Sequence, residues 1–217
     1  MTDQPQPNSR WWHRYLRFSM RGLIVLVLVI GGGLGWIVRS ARDQFAAVKA
    51  IQAAGGNVSY EWEWKDGRPI RDGAPWWPKR LSDRIGVEYL CSVARVDIFF
   101  RCTDKELVHV GRLSRLDTLS LPCTQLSDAG LAHLEGLWRL QTLNLWGNKV
   151  TDAGLVHLRG LSRLRWLCLD QTAVTDLGLE QLAGLRNLET LSVEHTRVTE
   201  AGVGELQRAL PRLRIIR

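Results

Sequence analysis

Three side-chain types recur at an interval that invites a chemical reading. His109, His133 and His157 fall 24 residues apart, and so do Asp104, Asp128, Asp152 and Asp176. Arg115, Arg139 and Arg163 form a third ladder. Stacked imidazoles suggest a metal site, stacked carboxylates acid–base chemistry, and stacked guanidiniums an anion-binding edge. Geometry argues against the first. Neighbouring helices lie about 8–10 Å apart, whereas zinc holds each imidazole at about 2 Å. The aspartates each follow a Ser or Thr where a helix should begin, so the hydroxyl caps backbone amides and the carboxylate favours the positive end of the helix dipole. The arginines stand just ahead of each strand and read as solvent cover, with an acidic partner or lipid headgroups as the alternative. No GxSxG, P-loop, HExxH or EF-hand pattern occurs. The reading therefore assigns no catalytic residue, no metal and no cofactor.

The interval itself carries more information than any ladder. Thr103-Asp104, Ser127-Asp128, Thr151-Asp152, Thr175-Asp176 and Thr199-Glu200 open five successive units, and the clearest of these is TDAGLVHLRGLSRLRWLCLDQTAV over 151–174. Such a period marks a stacked repeat. Within it, L-x-x-L-x-L recurs as Leu116/Leu119/Leu121, Leu140/Leu143/Leu145, Leu164/Leu167/Leu169 and Leu188/Leu191/Val193. Alternation on a strand sends the last two of each set into the stack and their neighbours outward. Three residues on, Thr124, Asn148, Thr172 and Thr196 are placed to satisfy backbone groups of the turn. Leucines at i, i+3 and i+6, such as Leu131/Leu134/Leu137, then fill one face of a short helix. Neither strand nor helix buries its leucines alone, so stability comes from neighbouring units.

The outward positions form three columns: Thr118/Thr142/Trp166/Thr190, Ser120/Asn144/Cys168/Ser192 and Pro122/Trp146/Asp170/Glu194. Function is expected where repetition breaks. Trp146 and Trp166 sit on adjacent strands about 5 Å apart. They form either an aromatic anchor flanked by Asn144, Cys168, Asp170 and Glu194 or a pair packed on each other. Cys168 has no histidine in its own or the adjacent columns, so it is not read as a nucleophile.

The phrase LxxLxLxxT/NxVTDxGLxxLxxL resembles the leucine-rich repeat family, of the ribonuclease-inhibitor-like kind. The resemblance covers 103–217 and reaches back weakly to about Val93. It implies an α/β solenoid with parallel strands on a concave binding face and short helices on the convex side. The layout with a preceding apolar segment is similar to single-pass bacterial members. The T-D-x-G-L phrase also resembles repeats of F-box ubiquitin-ligase adaptors, although no F-box precedes it here. The last unit carries one extra residue within 206–213, moving its strand to Leu213–Ile216.

The chain ahead of the repeats supplies the second part of the expectation. Of the net charge of +7, +5 lies in residues 1–56, leaving +2 downstream. The basic character thus belongs to the flanks of an apolar run, not to a nucleic-acid-reading face. Residues 1–21 are a partly disordered tail ending in a basic and aromatic flank, and 22–38 run without charge. As a helix this run spans about 26 Å and is expected to cross a bilayer, with residues 10–42 meeting lipid. A cleaved signal peptide is the rival reading. Four basic residues before the run and three after it favour a cytoplasmic N-terminus and an extracytoplasmic repeat domain. Gly31 and Gly35 form a GxxxG pair compatible with helix association. Residues 39–56 read as a juxtamembrane helix with Phe45, Val48, Ile51 and Gln52 on one side, stopped at Gly55-Gly56. Residues 57–102 read as a Trp-rich cap, with a strand over Val58–Trp64, a turn at 65–67, a short helix within 78–90 and a degraded repeat strand at Val93/Val96/Ile98. Trp62, Trp64, Trp76 and Trp77 either cover the stack's end or form a carbohydrate or lipid platform. Cys91 and Cys102 are placed to bridge or to remain separate thiols.

The expected protein is thus a non-enzymatic, single-pass membrane protein that binds a protein partner through its repeats. The alternative is an envelope-organising protein that self-associates, through Gly31/Gly35 or the C-terminal repeat edge. A ubiquitin-ligase-like adaptor is the third, resting on the repeat phrase alone.

Overall fold

A computed structural model describes residues 20–65, 68–70, 80, 91–99 and 102–217. The chain divides into two compact units, Met1–Ser40 and Ala41–Arg217. Helix α1 runs Met20–Ala53, so the two helices expected on either side of Arg39 belong to one helical element. The side chains of 20–34, 36, 37 and 64–69 lie outside the described residues, Trp64's among them, as do 1–19, most of 71–90 and with them Trp76, Trp77 and the helix expected within 78–90. Among the described residues, no helix is long and apolar enough to cross a membrane.

In the second unit α1 ends as the glycines require. Gly55 takes φ +77°, its N–H donates to Gln52 O (2.9 Å), and Gly56 N–H donates to Ile51 O (2.9 Å). Both glycine N–H groups thereby occupy carbonyls that the last helical turn leaves open. A Cβ on Gly56 would stand 2.7 Å from Ile51 Cγ2 and 2.9 Å from Ile98 Cγ1, so the small residue also lets the helix end approach the sheet. The buried face is Ala41, Ala47, Val48 and Ile51. Phe45 and Gln52, expected on that side, are exposed instead. Ala47 and Val48 lie four and three residues from Ile51, and that is the spacing that puts residues on one helical face.

A seven-stranded sheet runs through the second unit. Its parallel part is β4 (Val93–Asp97), β5 (Thr118–Ser120), β6 (Thr142–Asn144), β7 (Trp166–Cys168), β8 (Thr190–Ser192) and β9 (Arg214–Ile216). The degraded strand expected at Val93/Val96/Ile98 is β4, paired with β5. At the other side of β4, β1 (Asn57–Tyr60) pairs antiparallel. The strand expected over Val58–Trp64 stops at Tyr60, because Glu63 closes a turn there. The Glu63 N–H donates to Tyr60 O (2.9 Å) and Tyr60 N–H donates to Glu63 Oε2 (3.2 Å). Trp64 then opens β2 (Trp64–Lys65), which pairs antiparallel with β3 (Arg68–Pro69).

Between strands the chain returns through short helices. Leu131, Leu134, Leu137, Leu155, Leu158 and Leu161 are fully buried with the strand leucines Leu119, Leu143, Leu167 and Leu191. Each such side chain contributes about 2 kcal/mol by leaving water. In two units the spacing of three residues goes with a tightening of the helix, whereas Asp104–Val110, with Leu107 and Val110 buried at the same spacing, stays α-helical. Asp128–Leu131 and Asp152–Leu155 are α-helical, but Ala132–Leu134 and Val156–Leu158 tighten into 3₁₀ turns. A turn of about three residues brings i, i+3 and i+6 closely into line. The last unit, with its extra residue, places Gly202, Leu206 and Leu210 at intervals of four and forms a ten-residue α-helix, Glu200–Ala209. The insertion is absorbed by winding the helix at 3.6 residues per turn.

Candidate functional site

The aspartate ladder does something the sequence reading did not foresee. Each Asp reaches into the following unit. Asp128 Oδ1 accepts the Thr151 N–H (2.8 Å) and its Oδ2 accepts the Thr151 hydroxyl (2.6 Å). Asp104 holds Ser127, Asp152 holds Thr175 and Asp176 holds Thr199 in the same way. The expected caps are weaker: Thr151 and Thr175 hydroxyls accept from Ala153 and Leu177 N–H at 3.3 Å, and Ser127 and Thr199 make no side-chain cap. Close approach of each carboxylate needs the glycine of T-D-x-G. A Cβ at Gly130, Gly154 or Gly178 would stand 2.3 Å from the preceding unit's Asp Oδ1. That coupled period of Asp and Gly was the signal available in the sequence.

These bonds also set a pH response. The Thr199 hydroxyl and N–H hold the Asp176 carboxyl below its usual value of 3.8. A folded value below the unfolded one contributes stability that is present above the unfolded pKa and lost as pH falls through the folded pKa. The Asp176 carboxyl, followed by NMR, should titrate below pH 3.8; a midpoint at or above that value would contradict the bond pattern.

The turns after the strands hold the third outward column in place. Cys123 N–H donates to Trp146 O (2.7 Å), Gly147 N–H to Asp170 O (2.9 Å) and Gln171 N–H to Glu194 O (2.9 Å). Cys123, Gly147, Gln171 and His195 all take left-handed φ, from 51° to 68°. Beneath them Thr124, Asn148 and Thr172 are buried. Asn148 Nδ2 donates to Leu121 O (2.7 Å) and Leu145 O (3.0 Å). Its Oδ1 accepts the Thr124 hydroxyl (2.6 Å) and the Leu126 N–H (3.3 Å). Thr172 and Thr196 hydroxyls each donate three residues back, to Leu169 O and Val193 O. The polar residue expected to serve the turn does so in each of these units.

Registers place the six candidate residues. Trp166 stands opposite Thr142, and Cys168 opposite Asn144 and Ser192. Trp146 therefore lies four positions beyond the register of Trp166, roughly 13 Å along the strand direction. The two tryptophans form neither a joint anchor nor a packed pair; adjacency of strands was correct, but register separates their rings. Trp146 instead shares its end of the face with Asn144, whose Oδ1 accepts the Trp146 N–H (3.0 Å), and with Asp170 and Glu194 in the next two units.

Asp170 organises that end. Its Oδ2 accepts the Ser192 hydroxyl (2.9 Å) and the Cys168 thiol (3.2 Å), while Oδ1 accepts the Glu194 N–H (2.7 Å). Burial, and then the Asp170 and Glu194 carboxylates, pushes the Cys168 thiol up to about 12. It stays protonated at neutral pH, which removes thiolate nucleophilicity. Cys91, Cys102, Cys123 and Cys168 are free thiols, so Cys91 and Cys102 form no bridge.

One residue of the face escaped the sequence reading. β4 pairs Asp97 with Ser120, so its next outward residue, Phe99, extends the Pro122/Trp146 column. Phe99 is 49% exposed and Trp146 36%. Continuing the columns back into the degraded strand would have found it. The other ladders stay on the far surfaces: Nδ1 of His157 meets Glu135 Oε1 at 2.5 Å, and the Arg163 guanidinium lies 5.1 Å from the Trp138 ring centroid. Among the described residues, no group of three or more metal-ligating side chains converges.

A family model described as leucine rich repeat matches residues 138–198, the stretch that carries β6, β7 and β8. No curated protein matches the chain. Among solved structures it is similar to the leucine-rich repeat ectodomain of the receptor kinase SOBIR1 from Arabidopsis thaliana, at 21% identity over 81% of this chain and 91% of that one, with a TM-score of 0.49. Internalin C2 from Listeria monocytogenes is 21% identical over 57% of this chain and 70% of its own, with a TM-score of 0.37. A leucine-rich repeat protein from Leptospira interrogans is 20% identical over 50% of this chain and 27% of its own, with a TM-score of 0.41.

Proposed function

We propose that this leucine-rich repeat chain is a non-enzymatic, membrane-anchored module that captures a protein partner on the open face of its parallel sheet. The observation that carries the reading is the exposed Trp146 held over the end of β6, with its backbone bonded to Asn144 and to Cys123. An exposed aromatic fixed by its backbone loses little entropy on binding, and interface hot spots are enriched in such side chains. Asn144, Asp170 and Glu194 share its end of the face, and Cys168 and Trp166, two and four register positions away along the strands, are the remaining candidate contacts. Substituting a photo-crosslinking amino acid at Trp146 in the full chain should trap a foreign protein, whereas the same group at exposed Val156, on the helical side, should not. Adducts from 156 alone would contradict the face assignment.

The anchor is residues 22–38, uncharged between Arg21 and Arg39, within α1. Residues 10–42 would then meet lipid, with the N-terminus cytoplasmic and the repeats outside. Alkaline extraction should leave the chain in the membrane pellet; release into the supernatant would overturn the anchor. Self-association is the second reading, favoured by the position of β9 at the end of the sheet order, where a strand edge invites pairing. Crosslinking of one copy to another would support it, through this edge or through Gly31 and Gly35. The wild-type chain and the Gly31→Leu/Gly35→Leu variant would tell these two apart.

A further inference from the structure

The column at the carboxyl ends of the strands is sharply divided. Phe99, Pro122 and Trp146 come first, then Asp170 and Glu194. Neighbouring strands are about 4.8 Å apart, so an apolar stretch about 10 Å long meets an acidic stretch about 5 Å long without a break. Phe99, Trp146 and Glu194 are exposed, and Pro122 and Asp170 half-buried. The acidic half is preorganised, since three donors from Cys168, Ser192 and Glu194 fix the Asp170 carboxylate. Only +2 of the net charge lies downstream of residue 56, so the rest of the repeat unit supplies no negative field and any preference for a cation comes from this local pair.

Resting on the protein-binding reading above, we infer that this column takes an extended protein segment bearing an apolar side chain with a Lys or Arg a few positions away. The apolar side chain covers Pro122 and Trp146, and the cation meets Asp170 and Glu194. Spacing follows from the strand separation. The midpoint of the two carboxylate positions is about 7 Å from Trp146 and about 12 Å from Pro122. An extended segment advances about 6.7 Å in two residues and about 13 Å in four, so the basic residue falls two to four positions from the apolar one. Phe99 borders the apolar end.

The test uses the full chain in detergent against a display library of random dodecapeptides. Enriched peptides should share an apolar residue with Lys or Arg two to four positions away. Their affinity should fall at least tenfold with Asp170→Asn/Glu194→Gln and with Trp146→Ala, and stay within twofold with Glu180→Gln on the helical side. Enriched peptides that lack a basic residue, or that ignore the Asp170/Glu194 variant while losing binding with Trp146→Ala, would overturn the basic-segment inference and leave the protein-binding reading standing. Peptides indifferent to Phe99→Ser, Trp146→Ala and the carboxylate variant alike would overturn both. Absence of enrichment over a detergent-only control would also count against both.

Discussion

Asn148→Leu should lower the unfolding free energy by about 3–4 kcal/mol. The side chain is 4% exposed and sits where two units meet. Leucine matches its size but removes two donors from Leu121 O and Leu145 O and an acceptor from the Thr124 hydroxyl and the Leu126 N–H. Each orphaned buried group costs about 1–3 kcal/mol, partly recovered by relaxation. Asn148→Thr should recover part of the loss, because Thr172 and Thr196 close the same turn in their own units with one hydroxyl bond. Denaturant unfolding of the full chain followed by circular dichroism reads both. Asn148→Leu within 1 kcal/mol of wild type would mean that the inter-unit bonds contribute little.

The second large effect lies in the aspartate links. Gly154→Ala places a Cβ 2.3 Å from Asp128 Oδ1, so the carboxylate must leave Thr151 or the two helices must part. A loss of about 2–3 kcal/mol follows from one displaced charge-assisted pair of bonds plus local overpacking. Gly184→Ala is the control, since nothing lies within 4 Å of its Cβ position. Because both changes act on one contact, Asp128→Ala and Gly154→Ala should be strongly non-additive. In the Asp128→Ala background the added methyl still meets Leu131 Cδ1, at 2.9 Å, but this is the movable end of a side chain, so the methyl should cost distinctly less than in the wild type, read by the same denaturation. Additive losses would show that Gly154 is needed for another reason.

What the sequence made legible was periodic. Alternation in L-x-x-L-x-L placed Leu119, Leu143, Leu167 and Leu191 in the core and assigned the outward columns in the observed register. It also located β4 from three degraded positions. What it missed concerned relations between units, which a single-unit reading does not contain. The helix-dipole role expected of Asp104, Asp128, Asp152 and Asp176 is a local rule, and it carries no information on the two short bonds by which each carboxylate also holds the Ser or Thr of the next unit. Trp146 and Trp166 were placed on adjacent strands correctly, but distance along the strand decides whether rings meet. The Val58–Trp64 alternation likewise ran past a turn at Glu63, since periodicity carries no information on where a side chain closes the chain back on itself. Phe45 fails for a simpler reason: the small Ala47, with Val48 and Ile51, joins the core, and Phe45 lies off that face.

The central claim is that the open sheet face, anchored at Trp146, captures a protein. The most direct measurement is quantitative co-purification of the full chain after membrane solubilisation, comparing wild type with Trp146→Ala at matched thermal stability. The account predicts one foreign protein in stoichiometric yield with wild type, reduced at least tenfold by the substitution. Equal recovery of that partner with both proteins, or recovery of the chain's own copies alone, would contradict it.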